Sequence, residues 1–157
     1  MTIDPSNFRE VLGHFASGVT IITSMTESGP VGFTCQAFSA LSLDPPLVIV
    51  AASNNSSTWP KIAAAGSFCV NILESRQEAL CRSFAVSGSD KFAGVGWKAT
   101  ASGDPHLDGA LAWVDCSLES ITGAGDHELV VGGVRDLGTS EGTPLLYYRS
   151  GFGGFAS

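Results

Sequence analysis

The sequence predicts a mainly β protein, a small antiparallel β-barrel into which about three short helices are inserted. Hydrophobic residues make up 44% of the 157 residues and charged residues only 15%, which excludes a disordered chain. About seven extended segments follow one another with helices between only some of them, unlike the strict alternation of a doubly wound sheet. The 19 glycines are typical of a chain with sharp turns and close backbone approaches.

No internal repeat, linker or change of composition divides the chain, so we predict one domain over residues 1–157. Fifteen acidic against 8 basic residues give a net charge of −7, which argues against nucleic acid and anionic membranes as partners. No segment approaches the ~18 consecutive apolar residues of a membrane-spanning helix. We expect no secretory signal, because no basic region followed by an apolar stretch begins the sequence. The low charged fraction suggests that another subunit covers part of the surface.

The four cysteines are far apart in the sequence: Cys35, Cys69, Cys81 and Cys116. None forms a Cys-x-x-Cys pair, and none lies at zinc-ligand spacing with a histidine. We therefore expect no metal site, and we expect reduced, mostly buried thiols in a cytoplasmic protein.

The first predicted element is an amphipathic helix. Asp4 is a suitable N-cap, Pro5 suits the first helical position, and Gly18 is expected to end the helix. Apolar residues recur at the spacing of one helix face, namely at Phe8, Val11, Leu12 and Phe15.

A hairpin and a buried strand are predicted next. The β-branched run Val19–Met25 predicts a strand, and the turn Glu27–Pro30 connects it to the extended segment Val31–Ala40. The apolar run Leu47–Ala52 lies between turn residues and predicts a buried strand.

The middle of the chain predicts two short helices around one strand. Pro60 fits the first turn of a helix over Lys61–Ala65, which Gly66 terminates, and Ser67–Leu73 is the strand. The second helix is expected over Arg76–Phe84, followed by a loop over residues 85–96. Its predicted start is a capping box formed by Ser75 and Glu78.

Three further strands are predicted in the last third of the chain, namely Leu111–Ile121, Leu129–Val134 and Pro144–Tyr148. The first alternates between apolar and polar residues, which predicts that Asp115, Ser117 and Glu119 face solvent. The turn at residues 123–126 separates it from the second strand. The glycine pair at residues 132 and 133 predicts a bulge or a barrel corner there.

Three segments carry residues that suit ligand binding, and each has a structural alternative. Small polar residues interrupt the strand at residues 32–39, which is either an edge strand or a backbone surface for a flat polar ligand. The hydroxyls and N–H groups of Ser53–Thr58 suit a phosphate, although the segment alternatively forms only a capped loop. His127, at the mouth of a glycine-flanked strand, either contacts a ligand or caps a turn.

Seven pieces in a fixed order carry a resemblance to one family: residues 18–23, 32–35, 42–48, 68–73, 91–92, 125–127 and 144–148. The chain resembles the flavin reductases of the short flavin reductase-like family, from about Phe8 to Phe155. That family has the FMN-binding split-barrel fold, a small antiparallel Greek-key barrel. Its members are the reductase components of two-component flavin-dependent monooxygenases.

The resemblance implies a cytoplasmic homodimer that binds FMN or FAD near the dimer interface. It implies hydride transfer from NADH or NADPH to flavin N5, after which the reduced flavin leaves for a separate oxygenase. It implies no catalytic acid or base side chain, because the two cofactors supply the chemistry. A flavin-binding or carrier protein without turnover remains the alternative. An oxidase of a pyridoxine-like phosphate substrate is disfavoured by the presence of only three lysines.

Site residues are carried over by motif from the same resemblance. The residues expected along the isoalloxazine ring, largely through backbone groups, are Thr34, Cys35, Gln36 and Ala37. Those expected at the flavin phosphate are Ser53, Ser56, Ser57 and Thr58. Lys91 and Phe92 are expected to border the flavin, and His127 is expected to position the nicotinamide. Two positions depart from the family's usual pattern, namely Gln36 and Phe152.

Overall fold

The computed structural model describes residues 1–88 and 90–156, and these form three helices and twelve strands. The helices are α1 (Pro5–Leu12), α2 (Trp59–Ala65) and α3 (Glu78–Phe84). The strands are β1 (Ser17–Gly18), β2 (Thr20–Thr26), β3 (Gly29–Cys35), β4 (Phe38–Leu43), β5 (Pro46–Ser53), β6 (Ser67–Ile72), β7 (Trp97–Ala99), β8 (Pro105–Leu107), β9 (Ala112–Ala124), β10 (His127–Thr139), β11 (Leu145–Tyr148) and β12 (Gly151–Gly154). The predicted mainly β class with three short helices is confirmed.

Every strand pair is antiparallel. Seven strands form the main sheet in the order β3-β2-β6-β9-β10-β5-β4, and a second sheet has the order β1-β11-β12. Over the described residues, the ladder of the main sheet runs from β3 at one edge to β4 at the other. Gln36 and Ala37 join these two edge strands directly, so the single extended segment predicted over residues 31–40 is two strands with a break.

Both faces of the main sheet are buried near its centre. Adjacent residues of β2 point to opposite faces, and both Ile21 and Ile22 are fully buried. Ile22 belongs to a core cluster beneath α2 that includes Val50, Trp59, Ile62, Phe68 and Val130. Ile21 belongs to a second cluster, beside α3 and the small sheet, that includes Leu73, Phe84, Leu107 and Leu145. The second cluster underlies the cleft described below.

The start of α1 is as predicted, but its end is not. The Asp4 carboxylate accepts a hydrogen bond from the N–H of Ser6 at 2.8 Å, and Pro5 follows it. The helix ends at Leu12 with Gly13 as its C-cap, and the chain has entered β1 before Gly18. No residue of α1 is buried, so its apolar face does not pack against this chain.

The predicted capping box of α3 is wrong. Helix α3 begins at Glu78, and its N-cap residue Gln77 makes no capping bond through its side chain. The Ser75 hydroxyl instead donates to the carboxylate of Glu74, which also accepts from the N–H of Arg76 at 2.8 Å. The box does not form, because the Ser75 N–H donates to the carbonyl of Thr143 at 2.8 Å and the Ser75 hydroxyl donates to Glu74. The hydrogen bonds to Glu74 lower the pKa of its carboxyl to about 2.

The predicted polar face of β9 is only partly exposed. Asp115 is fully buried, and its carboxylate accepts from the N–H and the hydroxyl of Ser102 at 3.2 and 2.8 Å. Ser102 lies in the turn between β7 and β8, and this hairpin has no apolar alternation that would have predicted it. Glu119, farther along β9, is exposed as predicted.

The sequence predictions for Gly66, the glycine pair, the cysteines and the loop after α3 are confirmed. Gly66 ends α2 with a left-handed φ of 79°. The pairing of β9 with β10 shifts between Val131 and Gly132, which is the predicted bulge. All four cysteines are free and buried. Among the described residues, no helix is long and apolar enough to cross a lipid bilayer. The loop predicted after α3 is present, apart from Ser89, which lies outside the described residues.

Candidate functional site

A cleft of about 550 Å³ opens between the edge strand β3, the loop ahead of α2, helix α3 and the hairpin β11–β12. This volume is typical of a small-molecule site. Seven of the predicted cofactor residues line it: Thr34, Gln36, Ser53, Ser56, Ser57, Thr58 and Lys91. The fold thus brings together segments that lie more than fifty residues apart in the sequence.

A smaller recess of about 250 Å³ continues the cleft toward β10. It shares Gln36, Ser53 and Ser56 with the main cleft and adds Ala37 and His127. The antiparallel register places His127 directly opposite Ser53. The predicted ring, phosphate and nicotinamide residues therefore form one continuous site.

Strand β3 gives the cleft a backbone wall. As an edge strand of the main sheet, β3 has ladder partners on one side only, so backbone N–H and C=O groups on its outer side are free to bond elsewhere. The Thr34 hydroxyl donates to the carbonyl of Cys81 at 2.6 Å, which fixes β3 against α3. The wall therefore offers backbone groups rather than the Thr34 hydroxyl to a ligand.

Cys35 contributes little side chain to the site. It is 5% exposed, and its thiol lies 3.6 and 3.5 Å from the carbonyls of Ala37 and Ala51. Burial raises the pKa of the thiol to about 11. Its carbonyl accepts a hydrogen bond from Thr20. Cys35 therefore offers neither its thiol nor its carbonyl to a ligand.

Two hydroxyls of the loop ahead of α2 shape the loop itself. The Ser53 hydroxyl accepts from the N–H of Asn55 at 3.2 Å, and the Ser56 hydroxyl accepts from the N–H of Trp59 at 3.1 Å. The Trp59 indole in turn donates to the Glu128 carboxylate at 2.7 Å, which ties the start of α2 to β10. This part of the loop is held in place by its own hydrogen bonds.

The next two residues have free donors. Within the described part of the chain, the N–H groups and hydroxyls of Ser57 and Thr58 have no acceptor, although both residues line the cleft. Backbone N–H and hydroxyl donors fixed on an ordered loop are groups that bind phosphate oxygens. Of the four predicted phosphate residues, Ser57 and Thr58 thus remain available, and Ser53 and Ser56 position them.

Lys91 places a positive charge beside these donors. Its ammonium donates to the carbonyls of Gly32 and Phe84 at 3.1 and 3.0 Å. Desolvation lowers the pKa of Lys91. A side recess of about 330 Å³ is lined by Lys91 together with Ser57 and Thr58. An ammonium carries three donors, so one remains for a ligand.

Phe92 lies behind Lys91 rather than in the main cleft. Its ring packs edge-on against Phe84 with the ring centroids 5.1 Å apart, and it lines only the side recess. It therefore holds the loop that carries Lys91.

His127 is anchored at one ring nitrogen. Its Nδ1 lies 2.7 Å from the Asp126 carboxylate, and 43% of its side chain is exposed. This hydrogen bond lowers the pKa of Asp126. With Nδ1 engaged, Nε2 is the nitrogen that remains for a ligand.

The lining residues that were not predicted as ligand contacts include Arg82, Tyr147 and Phe152. Arg82 pairs with Glu78 one helical turn earlier, and its guanidinium lies 4.8 Å from the centroid of the Phe152 ring. Phe152 packs edge-on against Tyr147 at 5.1 Å. An Arg at i+4 from a Glu predicts only a surface ion pair, and β12 has too little periodicity to be recognised.

The arrangement suits an anionic ligand with a flat polar ring. In a chain of net charge −7, Lys91 and Arg82 are the two cations among the described residues that line the cleft. The free donors of Ser57 and Thr58 lie at one end of the cleft. The outer backbone edge of β3 lies along the rest of it and leads to His127. The donor set fits a phosphate joined to a heteroaromatic ring.

Comparisons with known proteins agree with this geometry. The model of the flavin reductase like domain matches residues 12–156. The chain is 45% identical over 99% of its length to a flavin reductase of Pseudomonas putida, of which it covers 92%. It is 48% identical over 97% of its length to the reductase subunit of a flavin-dependent monooxygenase of Rhodococcus jostii, of which it covers 78%.

Solved structures are similar over nearly the whole chain. Nitrilotriacetate monooxygenase component B from Mycobacterium thermoresistibile superposes with a TM-score of 0.93 at 45% identity, over 96% of this chain and 86% of that one. The NADH:FAD oxidoreductase of Streptomyces globisporus has a TM-score of 0.90 at 32% identity, over 100% of this chain and 98% of that one. An FMN reductase (NADH) of Agrobacterium fabrum is 35% identical over 96% of this chain and 86% of that protein. The chain belongs to the flavin reductase-like family.

Proposed function

We propose that the protein is an NAD(P)H-dependent flavin reductase that reduces FMN or FAD and supplies the reduced flavin to a separate oxygenase. The observation that carries the proposal is a continuous cleft. It joins the donors of Ser57, Thr58 and Lys91, called here the phosphate corner, to the outer edge of β3 and to His127. The similarity to a flavin reductase, to the reductase subunit of a flavin-dependent monooxygenase and to a monooxygenase component supports the same function.

The phosphate of the flavin binds at Ser57, Thr58 and Lys91. These residues combine a positive charge with N–H and hydroxyl donors that have no acceptor in the described part of the chain. Ser53 and Ser56 keep the loop in shape through their bonds to Asn55 and Trp59.

The ring of the flavin lies along the outer edge of β3 and its continuation through Gln36 and Ala37. The outer side of β3 has no ladder partner, and the carbonyls of Gln36 and Ala37 accept from Phe38 and Ala51, whereas their N–H groups have no acceptor in the described part of the chain. These free groups are the proposed partners of the polar isoalloxazine edge. His127 borders the same recess and positions the nicotinamide through Nε2.

Hydride transfer from the reduced nicotinamide to flavin N5 is chemistry that the two cofactors supply when bound. The chain binds and orients them at stacking distance, so it needs neither nucleophile nor general base. The thiols nearest the cleft agree with the absence of a nucleophile, because burial raises the pKa of both Cys35 and Cys81 and so keeps them protonated.

A second copy of the chain is the proposed partner in the resting protein. Helix α1 exposes Phe8, Val11 and Leu12, each more than half exposed. Phe15, at 84% exposure, borders an apolar groove of about 410 Å³ that includes Phe38 and Leu129. At Gln36 and Ala37 that groove adjoins the smaller recess, in which the flavin ring is proposed to lie. Association of two copies through these faces would bury the apolar surface and narrow the site.

The proposed setting is the cytoplasm, and the proposed recipient of reduced flavin is a flavin-dependent oxygenase. Four free, buried thiols support a reducing compartment. The monooxygenase reductase subunit among the relatives supports the oxygenase partner.

Steady-state oxidation of NADH and of NADPH by catalytic protein, each with excess FMN or FAD, tests the function. The proposal expects many turnovers with at least one pair of cofactors. Binding of flavin without turnover in all four combinations would instead identify a flavin carrier. Sedimentation that finds a stable 16.2 kDa monomer at micromolar concentration would refute the homodimer.

A further inference from the structure

We propose that Arg82 is a second phosphate-binding residue of the cleft and recognises the pyrophosphate of a bound dinucleotide. The inference rests on the proposed function and deepens it, because it distinguishes the dinucleotide parts of the ligands from the flavin mononucleotide part. Pyrophosphate is the chemistry that FAD and NAD(P)H share and that FMN lacks.

The Arg82 guanidinium is oriented but not saturated. Its Nε and Nη2 both donate to one oxygen of Glu78, at 3.2 and 2.8 Å. Among the described residues, no acceptor contacts Nη1. The plane of five donors therefore keeps N–H groups free for a ligand. An exposed pair of this kind contributes little stability, so a ligand phosphate competes with Glu78 at low cost.

Phe152 fixes the position of this charge. The guanidinium carbon lies 4.8 Å from the centroid of the Phe152 ring, and both residues line the cleft. Phe152 is itself held edge-on by Tyr147. Packing against an aromatic face reduces the number of conformations that the long side chain samples, which favours binding by a preorganised donor.

Arg82 and Lys91 serve different parts of the cleft. The side recess beyond Lys91 is lined by Ser57 and Thr58 but not by Arg82. Arg82 instead lies with Tyr147 and Phe152 at the wall formed by α3 and the hairpin β11–β12. A mononucleotide has one phosphate, which the donors around Lys91 accommodate. A second, separately anchored cation on another wall fits a ligand that carries further phosphates.

Arg82→Gln tests the inference with two pairs of ligands. The first pair is NADH and reduced nicotinamide riboside, a hydride donor without phosphate, compared by KM. The second pair is FAD and FMN, compared by the Kd from flavin fluorescence. We expect Arg82→Gln to raise the KM of NADH, the Kd of FAD, or both, about tenfold, the effect of one charge-assisted hydrogen bond. The riboside and FMN should change less than about twofold.

The matched control is Arg76→Gln, which removes an exposed arginine paired with Glu74 outside the cleft and should leave all four constants unchanged. Arg82→Lys keeps the charge without the planar fork and should lie between wild type and Arg82→Gln. An increase confined to NADH assigns Arg82 to the hydride donor, and one confined to FAD assigns it to the flavin.

The inference is overturned if the KM of NADH and the Kd of FAD both stay at wild-type values in Arg82→Gln. It is also overturned if binding of the riboside and of FMN weakens as much as binding of NADH and FAD while the melting temperature falls. The latter result would show that Arg82 only holds Phe152. Failure of the proposed function looks different, since wild-type protein would then oxidise no NADH. The FAD and FMN binding comparison would still decide the role of Arg82 in that case.

Discussion

Replacing Lys91 with methionine removes the charge of the phosphate corner with little change in side-chain length. The Lys91 ammonium donates to the carbonyls of Gly32 and Phe84 and has one donor left. Methionine retains the apolar stem beside Phe92 but has no N–H. The substitution therefore tests whether this donor is directed at the flavin phosphate.

The expected loss follows from one charge-assisted hydrogen bond, about 1.5–3 kcal/mol, or roughly 10- to 150-fold in the Kd of FMN. Riboflavin has the same ring without the phosphate, so its Kd should change by less than about threefold. Wild-type affinity for FMN should also fall as salt is added, and the Lys91→Met variant should lose much of that dependence.

Titration of flavin fluorescence with FMN and with riboflavin measures both constants on the same protein. Lys98→Met is the matched control, because Lys98 is exposed on β7 and does not line the cleft. Equal weakening of FMN and riboflavin binding in Lys91→Met would show that Lys91 does not bind the phosphate and only supports the loop that packs against Phe84.

Three further outcomes are expected. His127→Ala should raise the KM for NADH or slow flavin reduction roughly 10- to 100-fold, with flavin affinity nearly unchanged. A lower melting temperature with normal NADH kinetics would instead show that His127 only stabilises the turn. Glu74→Gln should be less stable than wild type at neutral pH. The folded pKa of Glu74, about 2, is below its ordinary value of 4.5, so the carboxylate stabilises above 4.5 and loses this effect as pH falls toward 2. The free energies of unfolding of wild type and Glu74→Gln, measured in urea, should therefore converge at low pH. A difference that stays constant with pH would contradict a stabilising role of the Glu74 carboxylate. Gly132→Ala should cost about 1–3 kcal/mol in urea unfolding, because its Cβ would lie 2.8 Å from Phe68 Cζ; unchanged stability would mean that the bulge adapts.

The elements that the sequence predicts correctly are those with a strong local pattern. Asp4 and Pro5 define the start of α1, Gly66 ends α2 through its left-handed backbone, and the pair at residues 132 and 133 marks a bulge. In each case one residue's own geometry determines the structure. Local propensity and the final fold agree at these positions.

The elements that it misses depend on distant partners. Asp115 alternates like a solvent-facing residue, yet Ser102 and the hairpin β7–β8 cover it. The capping box at Ser75 fails because the Ser75 N–H donates to the carbonyl of Thr143, which is distant in the sequence, and the Ser75 hydroxyl donates to Glu74. Strands β1 and β12 have only two and four residues and form because they pair with β11.

The candidate site shows the same division. The motif residues converge on one cleft, but their side-chain roles depend on contacts that no motif encodes. Ser56 caps the N–H of Trp59, Cys35 is turned into the core, and Phe92 packs behind Lys91. Arg82 lies in the cleft against Phe152, which the hairpin β11–β12 brings there.

Anaerobic stopped-flow reduction of excess flavin by NADH deuterated at C4 tests whether the protein is a flavin reductase. We expect catalytic protein to bleach the visible absorbance of many equivalents of FMN or FAD, and deuterium in the transferred position to slow the bleaching when hydride transfer limits the rate. Bleaching of no more than one equivalent of flavin per chain, or at the rate seen without protein, would contradict this function.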